Sequence, residues 1–182
     1  MEIDPAELIL IVMNLLAGLG CAVPLARHLR GMTGKPRRTS RTFAVLVGIY
    51  LVECVALIVG MGIPVFSVAL ALVWGVVFAR WLGSRAPERQ VVRASFFLAL
   101  YASLPAFSFI VVPVVAFLSG WAVWSVEGGT RFGIPGFIPW PMNTILGFFA
   151  ACAVGAAVLK TLITTSEVRW LMRRKTLSST AR

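Results

Sequence analysis

The sequence predicts an all-α, polytopic integral membrane protein with five transmembrane helices, an outer N-terminus, an inner C-terminus and an aromatic, proline-rich extracytoplasmic loop. Its composition is the first observation: 59% of the 182 residues are hydrophobic and only 13% are charged, whereas soluble domains are about 45–50% apolar and about 25% charged. The second is the recurrence of long apolar runs, and the third is the placement of nearly all Lys and Arg residues between alternate runs.

The apolar runs indicate five spans, since a hydrocarbon core ~30 Å thick requires about 20 helical residues. The first run ends near Ala26, where the basic stretch RHLRGMTGKPRRTSR begins. Residues 42–82 are about twice a membrane thickness and are divided at GMGIP, where glycine and proline favour a tight turn. A five-helix domain over residues 1–168 precedes a basic cytoplasmic tail over 169–182. The predicted spans are 7–26, 42–61, 64–82, 94–118 and 144–164.

The fourth span contains Pro105 and Pro113, which predict a kinked helix because proline removes a backbone hydrogen bond. An alternative is that this helix stops near Pro113 and leaves residues 114–124 as an interfacial segment. Residues 125–143 are dense in Gly, Pro and aromatic residues without a helical period, and they predict an ordered loop at the membrane surface.

The orientation follows from the positive charges, because Lys and Arg in short loops collect on the cytoplasmic side. Only Arg131 of the seventeen cationic residues lies on the other side of this topology. The acidic start, with Glu2, Asp4 and Glu7, is typical of an exported tail and argues against a cleavable signal peptide. The sixteen predicted cytoplasmic cations are Arg27, Arg30, Lys35, Arg37, Arg38, Arg41, Arg80, Arg85, Arg89, Arg93, Lys160, Arg169, Arg173, Arg174, Lys175 and Arg182.

The net charge of +10 is therefore explained by loop charge, and it does not indicate a nucleic-acid partner. The cluster RWLMRRK goes beyond what topology requires, because it places several cations and a tryptophan beside the last span. Such clusters attract anionic lipids. The predicted lipid-contacting residues are Arg169, Arg173, Arg174 and Lys175.

Aromatic residues near the predicted outer boundary are the candidates for interfacial anchors, as tryptophan commonly is in membrane proteins. The uncharged loop FGIPGFIPWP is also consistent with a docking surface for another membrane subunit or a lid over a pocket. These interfacial or docking residues are Trp121, Trp124, Phe137 and Trp140.

Small residues four apart predict close helix contacts, because they let helix backbones approach each other in lipid. Three spans carry such stripes. They are Asn14, Gly18, Ala22 and Ala26 in the first span, Ala44 and Gly48 in the second, and Gly147, Ala151 and Gly155 in the fifth.

Glu53 is a carboxylate inside the apolar run LVECVALIVG, about 16 Å from the predicted start of its helix and thus near the midplane. A charged carboxylate costs roughly 2.5–3.5 kcal/mol there, so it is expected to face protein or water, or to be protonated. The hypothesis is that residues at a similar depth hold it by hydrogen bonds. They are Asn14, Tyr50, Ser103 and Ser108.

Two roles remain open for this intramembrane polar cluster. In the first role, Glu53 titrates in a transport cycle or binds a cation, and the fourth helix is unwound near Pro105 to offer carbonyl groups. Alternatively, a protonated Glu53 joins helices or pairs with a neighbouring subunit. Lys160 is expected to lie close enough to the inner boundary to extend its ammonium group to the interface.

Other chemistry is poorly supported by the residues present. His28 is the only histidine and lies in a basic loop, and the cysteines occupy three separate spans. No cofactor, metal site or catalytic residue is therefore predicted. Enzyme activity has the least support, although a site shared with a partner subunit stays open.

These features favour a non-catalytic subunit of a larger complex in a bacterial-type inner membrane, with the bilayer, anionic lipids and other membrane subunits as partners. Its soluble mass is small, and its stripes and aromatic loop offer more surface than five helices bury among themselves. The alternative is a small oligomeric transporter or channel in which Glu53 couples to a proton or cation.

Overall fold

Regular structure in the described residues is entirely helical. A computed structural model describes residues 5–33, 39–59, 65–83, 86–118 and 142–180. Each of the five described helices contains a segment long and apolar enough to cross a membrane, which confirms the prediction of an all-α protein with five membrane-length helices. The helices are α1 (Pro5–Thr33), α2 (Thr39–Val59), α3 (Val65–Leu82), α4 (Glu88–Leu118) and α5 (Met142–Thr180).

The helices extend beyond the predicted spans. The first span was expected to end near Ala26, but α1 continues to Thr33, and α5 continues through most of the predicted tail to Thr180. Leu, Arg, Met and Lys are good helix formers, and a helix satisfies its own backbone hydrogen bonds in water as well as in lipid. The end of an apolar run therefore marks where a helix leaves the hydrocarbon, not where it ends.

Helix α4 is the central helix of the bundle. It begins at Glu88 and passes Pro105 and Pro113 to reach Leu118, so the alternative in which it stops near Pro113 is wrong. In its membrane-length segment 56% of the residues are buried, compared with 22% to 33% in the other four helices. The kink expected from its prolines stays a prediction.

Contacts between helices give their relative directions. Later residues of α3 contact later residues of α5, so these two helices are parallel. Helices α4 and α5 are antiparallel, because Ala102 contacts Lys160 whereas the earlier residue Glu88 approaches the later residue Arg173. This is the alternation expected of consecutive spans. The α3 and α5 contacts pair Ser67 with Lys160, Ala71 with Thr164 and Gly75 with Glu167.

The outer surface of the bundle is apolar. Leu16, Ile58 and Leu162 are 62%, 68% and 58% exposed, and similar side chains cover the other helices. Soluble monomers rarely expose contiguous apolar surface on this scale. Such a surface is suited to contact with lipid or with the apolar faces of other membrane helices.

The small-residue stripes do not all face inward. Gly18, Ala22 and Ala26 of α1 are buried, as predicted for a packing face. The stripes on α2 and α5 are exposed, so the close contacts predicted for them are wrong within this chain. The exposed stripe residues are Ala44, Gly48, Gly147, Ala151 and Gly155. Helix α5 instead buries the face that carries Ala157 and Lys160.

Candidate functional site

Glu53 forms a buried ion pair with Lys160. The Lys160 ammonium nitrogen Nζ lies 2.6 Å from Glu53 Oε2, and the exposed fractions of the two residues are 1% and 0%. Both lie in membrane-length segments of their helices, α5 and α2. An acid and a base thus neutralise each other inside the bundle.

Two side chains of α3 complete this cluster. The Ser67 hydroxyl donates to Glu53 Oε2 at 2.6 Å, and the Trp74 indole Nε1 donates to Glu53 Oε1 at 2.5 Å. Lys160 donates to the Ser67 hydroxyl oxygen and to the Ala102 carbonyl oxygen, both at 2.9 Å. We call Glu53, Ser67, Trp74 and Lys160, with the Ala102 carbonyl, the polar clamp. It joins α2, α3, α4 and α5.

The donors and acceptors of the polar clamp are matched. An ammonium group has three N–H donors, and Lys160 directs hydrogen bonds or the ion pair to Glu53, Ser67 and Ala102. Ser67 donates its only proton to Glu53 and accepts from Lys160. Each carboxylate oxygen of Glu53 has at least one donor. Such matching offsets much of the cost of removing two charges from water.

Chain connectivity explains how α2 and α3 meet at this point. Glu53 lies six residues before the end of α2 at Val59, and Ser67 lies two residues after the start of α3 at Val65. At ~1.5 Å per residue Glu53 is about 9 Å from its helix end, between Ser67 at about 3 Å and Trp74 at about 14 Å from the start of α3, so it reaches both side chains. Trp74 follows Ser67 by seven residues, which places it on the same helix face two turns further along. The polar clamp lies in the half of the bundle nearer the α2–α3 connection.

The partners predicted for Glu53 have other contacts. The Tyr50 hydroxyl donates to the Asn14 carbonyl oxygen at 2.9 Å and also to the Asn14 side-chain oxygen Oδ1. Ser103 donates to the carbonyl oxygen of Ala99 within its own helix at 2.9 Å. The side chain of Ser108 lies outside the described residues. Depth alone suggested these partners, but the face that each helix presents to its neighbours selects Ser67 and Trp74 instead.

The expectation that Lys160 reaches the membrane interface is wrong. The fifth span was predicted to end near residue 164, which placed Lys160 one turn from the boundary. The membrane-length segment of α5 is Ala150–Lys175, and Lys160 lies ten residues inside it. The spacing of Lys160, Thr164 and Glu167 was the available signal, because positions i, i+4 and i+7 share one helix face.

A line of polar groups continues from the polar clamp along α3 and α5. The Thr164 hydroxyl donates to the Ala71 carbonyl oxygen at 3.2 Å. One helical turn further, Glu167 rests on Gly75, where an added Cβ would collide with the carboxylate. Its oxygen Oε2 is buried and has no hydrogen-bond partner among the residues that the structure describes. We call Thr164, Glu167 and the polar clamp together the α3–α5 polar line.

The predicted lipid-contacting residues are at the end of α5. Arg169 lines a cleft between α4 and α5, and Nε of Arg173 lies 3.7 Å from a Glu88 carboxylate oxygen. The Arg174 guanidinium stacks 3.9 Å above the Trp170 ring. Lys175 is exposed. The predicted interfacial or docking residues Trp121, Trp124, Phe137 and Trp140 lie outside the described residues.

No family model, curated protein or solved structure matches this chain. In the ranges that the structure describes, no three His, Cys, Asp or Glu residues are grouped so that they could hold a metal ion. The functional interpretation therefore depends on the polar clamp, the α3–α5 polar line and the exposed helix faces.

Proposed function

We propose that this chain is a non-catalytic integral membrane subunit that presents helix surfaces to other subunits of a larger complex in a bacterial-type inner membrane. Its N-terminus faces outward and its C-terminus inward, in agreement with the placement of its cations. The polar clamp holds four of its helices in one arrangement, and the outward faces of α2 and α5 dock against partners.

The internal pairing of the polar clamp is the observation that carries this proposal. Both oxygens of Glu53 accept from side chains of this chain, and a transported cation would have to compete with the Lys160 ammonium group for this carboxylate. Lys160 likewise directs all three of its donors to Glu53, Ser67 and Ala102. This arrangement fixes helix positions, which is the role expected of a structural subunit.

The exposed stripes supply the docking faces. Among the described residues, an added Cβ at Gly147, Gly155 or Gly48 would meet no atom within 4 Å, and all three positions are exposed. Small residues four apart let a second helix approach closely, and close packing drives helix association in lipid. The α5 stripe, Gly147, Ala151 and Gly155, is the longer of the two and is the primary docking face.

Photo-crosslinking in native membranes tests the docking face. With a photoreactive residue at Ala151, we expect a discrete adduct with a protein that co-purifies stoichiometrically in mild detergent. The same residue at Leu72 of α3, which is 56% exposed, is the matched control and is expected to label lipid. Lipid adducts at both positions, together with purification of the chain alone, would contradict the proposal.

A proton- or cation-coupled transporter is the second candidate, and the α3–α5 polar line favours it. Glu167 follows Lys160 by seven residues, about 10 Å along the helix axis, with Thr164 between them. The buried oxygen Oε2 of Glu167, which has no hydrogen-bond partner in the ranges that the structure describes, offers a place for a proton. Ionisable groups within spans commonly belong to proton or ion pathways.

Flux measurements on the pure protein distinguish the two candidates. If the chain is a transporter, proteoliposomes will carry a proton or cation flux that both Glu53→Gln and Glu167→Gln abolish. Glu88→Gln is the matched control, because the Glu88 side chain is 41% exposed. A structural subunit is expected to give no flux above that of empty liposomes.

A further inference from the structure

A basic cleft lies between the start of α4 and the second half of α5. Its volume is about 390 Å³. We infer that this cleft binds the phosphate group of an anionic phospholipid. The residues that line it are Glu88, Arg89, Val92, Arg93, Phe96, Thr165 and Arg169.

The charge in the cleft favours an anion. Arg89 and Arg93 are four residues apart on one face of α4, and Arg169 lies on the α5 wall. None of these three guanidinium groups forms an ion pair with a carboxylate in the described ranges, where the Glu88 carboxylate lies near Arg173 instead. Guanidinium groups bind phosphate oxygens through two parallel hydrogen bonds, which suits a converging set of arginines.

The apolar part of the cleft distinguishes a lipid from a soluble phosphate. Along α4, Val92 comes between Arg89 and Arg93, and Phe96 comes after both arginines. Phe96 is 43% exposed. Leu100, one turn further along the same face, is 40% exposed. Along α4 the arginines therefore lie nearer the start of the membrane-length segment, and the apolar side chains lie further inside it. A phospholipid has the same order, with its phosphate followed by acyl chains.

This site differs from the general attraction of anionic lipid to the C-terminal cluster. Arg174 stacks on Trp170, and Arg173 approaches Glu88, whereas Arg169 faces the cleft together with residues of α4. The inference adds Arg89 and Arg93 as ligands and does not depend on whether the chain is a subunit or a transporter.

Native mass spectrometry of the full-length protein in mild detergent tests the inference. The probes are phosphatidylglycerol, phosphatidylcholine with the same acyl chains, and inorganic phosphate. We expect the protein to retain one phosphatidylglycerol in preference to phosphatidylcholine. The Arg93→Gln/Arg169→Gln variant is expected to bind phosphatidylglycerol roughly 30-fold more weakly, at about fivefold per arginine. Arg27→Gln/Arg80→Gln, which also removes two exposed charges but outside the cleft, is the control and is expected to bind normally.

Lipid selectivity of the unmodified protein provides a test that does not depend on how well a variant folds. Equal retention of the two lipids would overturn the inference, as would equal weakening by Arg27→Gln/Arg80→Gln. Binding of inorganic phosphate without selective retention of phosphatidylglycerol would show a soluble ligand and would also overturn it. The melting temperature of each variant establishes that lost binding reflects the cleft and not unfolding.

Discussion

Lys160→Met is expected to lower the free energy of unfolding by about 3–5 kcal/mol, because it leaves the Glu53 carboxylate buried without its cation. Glu53 is fully buried, and the substitution also removes a hydrogen bond to Ser67 and one to the Ala102 carbonyl. Equilibrium unfolding in mixed detergent micelles measures this change. Arg80→Met at an exposed position of α3 is the control and is expected to change stability by no more than about 0.5 kcal/mol.

The double variant Glu53→Gln/Lys160→Met is expected to be more stable than Lys160→Met alone. Removing both charges removes the uncompensated carboxylate, and glutamine keeps an oxygen that accepts from Ser67 or Trp74. The double-mutant cycle therefore has a favourable coupling energy between residues 53 and 160. If the double variant lost as much free energy of unfolding as the two single variants lose in sum, the two side chains would not interact in the folded protein.

Gly18→Ala is expected to destabilise the protein by about 1–3 kcal/mol, the usual effect of overpacking. The Tyr50 ring rests directly on Gly18, and an added Cβ would collide with three of its ring atoms. Movement of that ring breaks the hydrogen bonds from the Tyr50 hydroxyl to Asn14. It also disturbs Tyr101, which donates to the Gly18 carbonyl oxygen at 3.2 Å.

Gly20→Ala is the matched control for this close contact. Gly20 lies two residues further along α1, and an added Cβ there meets no atom of the described part of the chain within 4 Å. Alanine has a higher helix propensity than glycine, so this change is expected to be neutral or to stabilise by up to about 1 kcal/mol. In mild detergent, the melting temperatures of Gly18→Ala and Gly20→Ala should therefore shift in opposite directions, or the shift of Gly18→Ala should be clearly larger. Equal shifts would contradict the packing of Tyr50 on Gly18.

The fold class follows from properties that each segment carries by itself. A run of about 20 apolar residues predicts a span wherever it occurs, and the described residues contain five such helices. The helix ends were less predictable, because residues such as those after Ala26 continue a helix after it has left the apolar region. Backbone hydrogen bonds are local and do not depend on the surrounding solvent.

The inward faces of the helices were predictable only in part. The α1 stripe is buried at Gly18, Ala22 and Ala26, but the similar α5 stripe is exposed. A helix that is apolar on all sides has no hydrophobic face to mark its packing surface. On α5 the polar residues Lys160 and Thr164 are buried, so the need to pair buried polar groups selects its inward face.

The sequence by itself determined the medium, the helical class and the presence of a carboxylate that had to be satisfied inside the membrane. Only the tertiary structure decided which groups satisfy it, because Lys160 is 107 residues from Glu53 along the chain. No local pattern links two such positions. The alignment of α2, α3 and α5 brings together an acid and a base that are each costly alone in lipid, and their mutual neutralisation explains why both are buried.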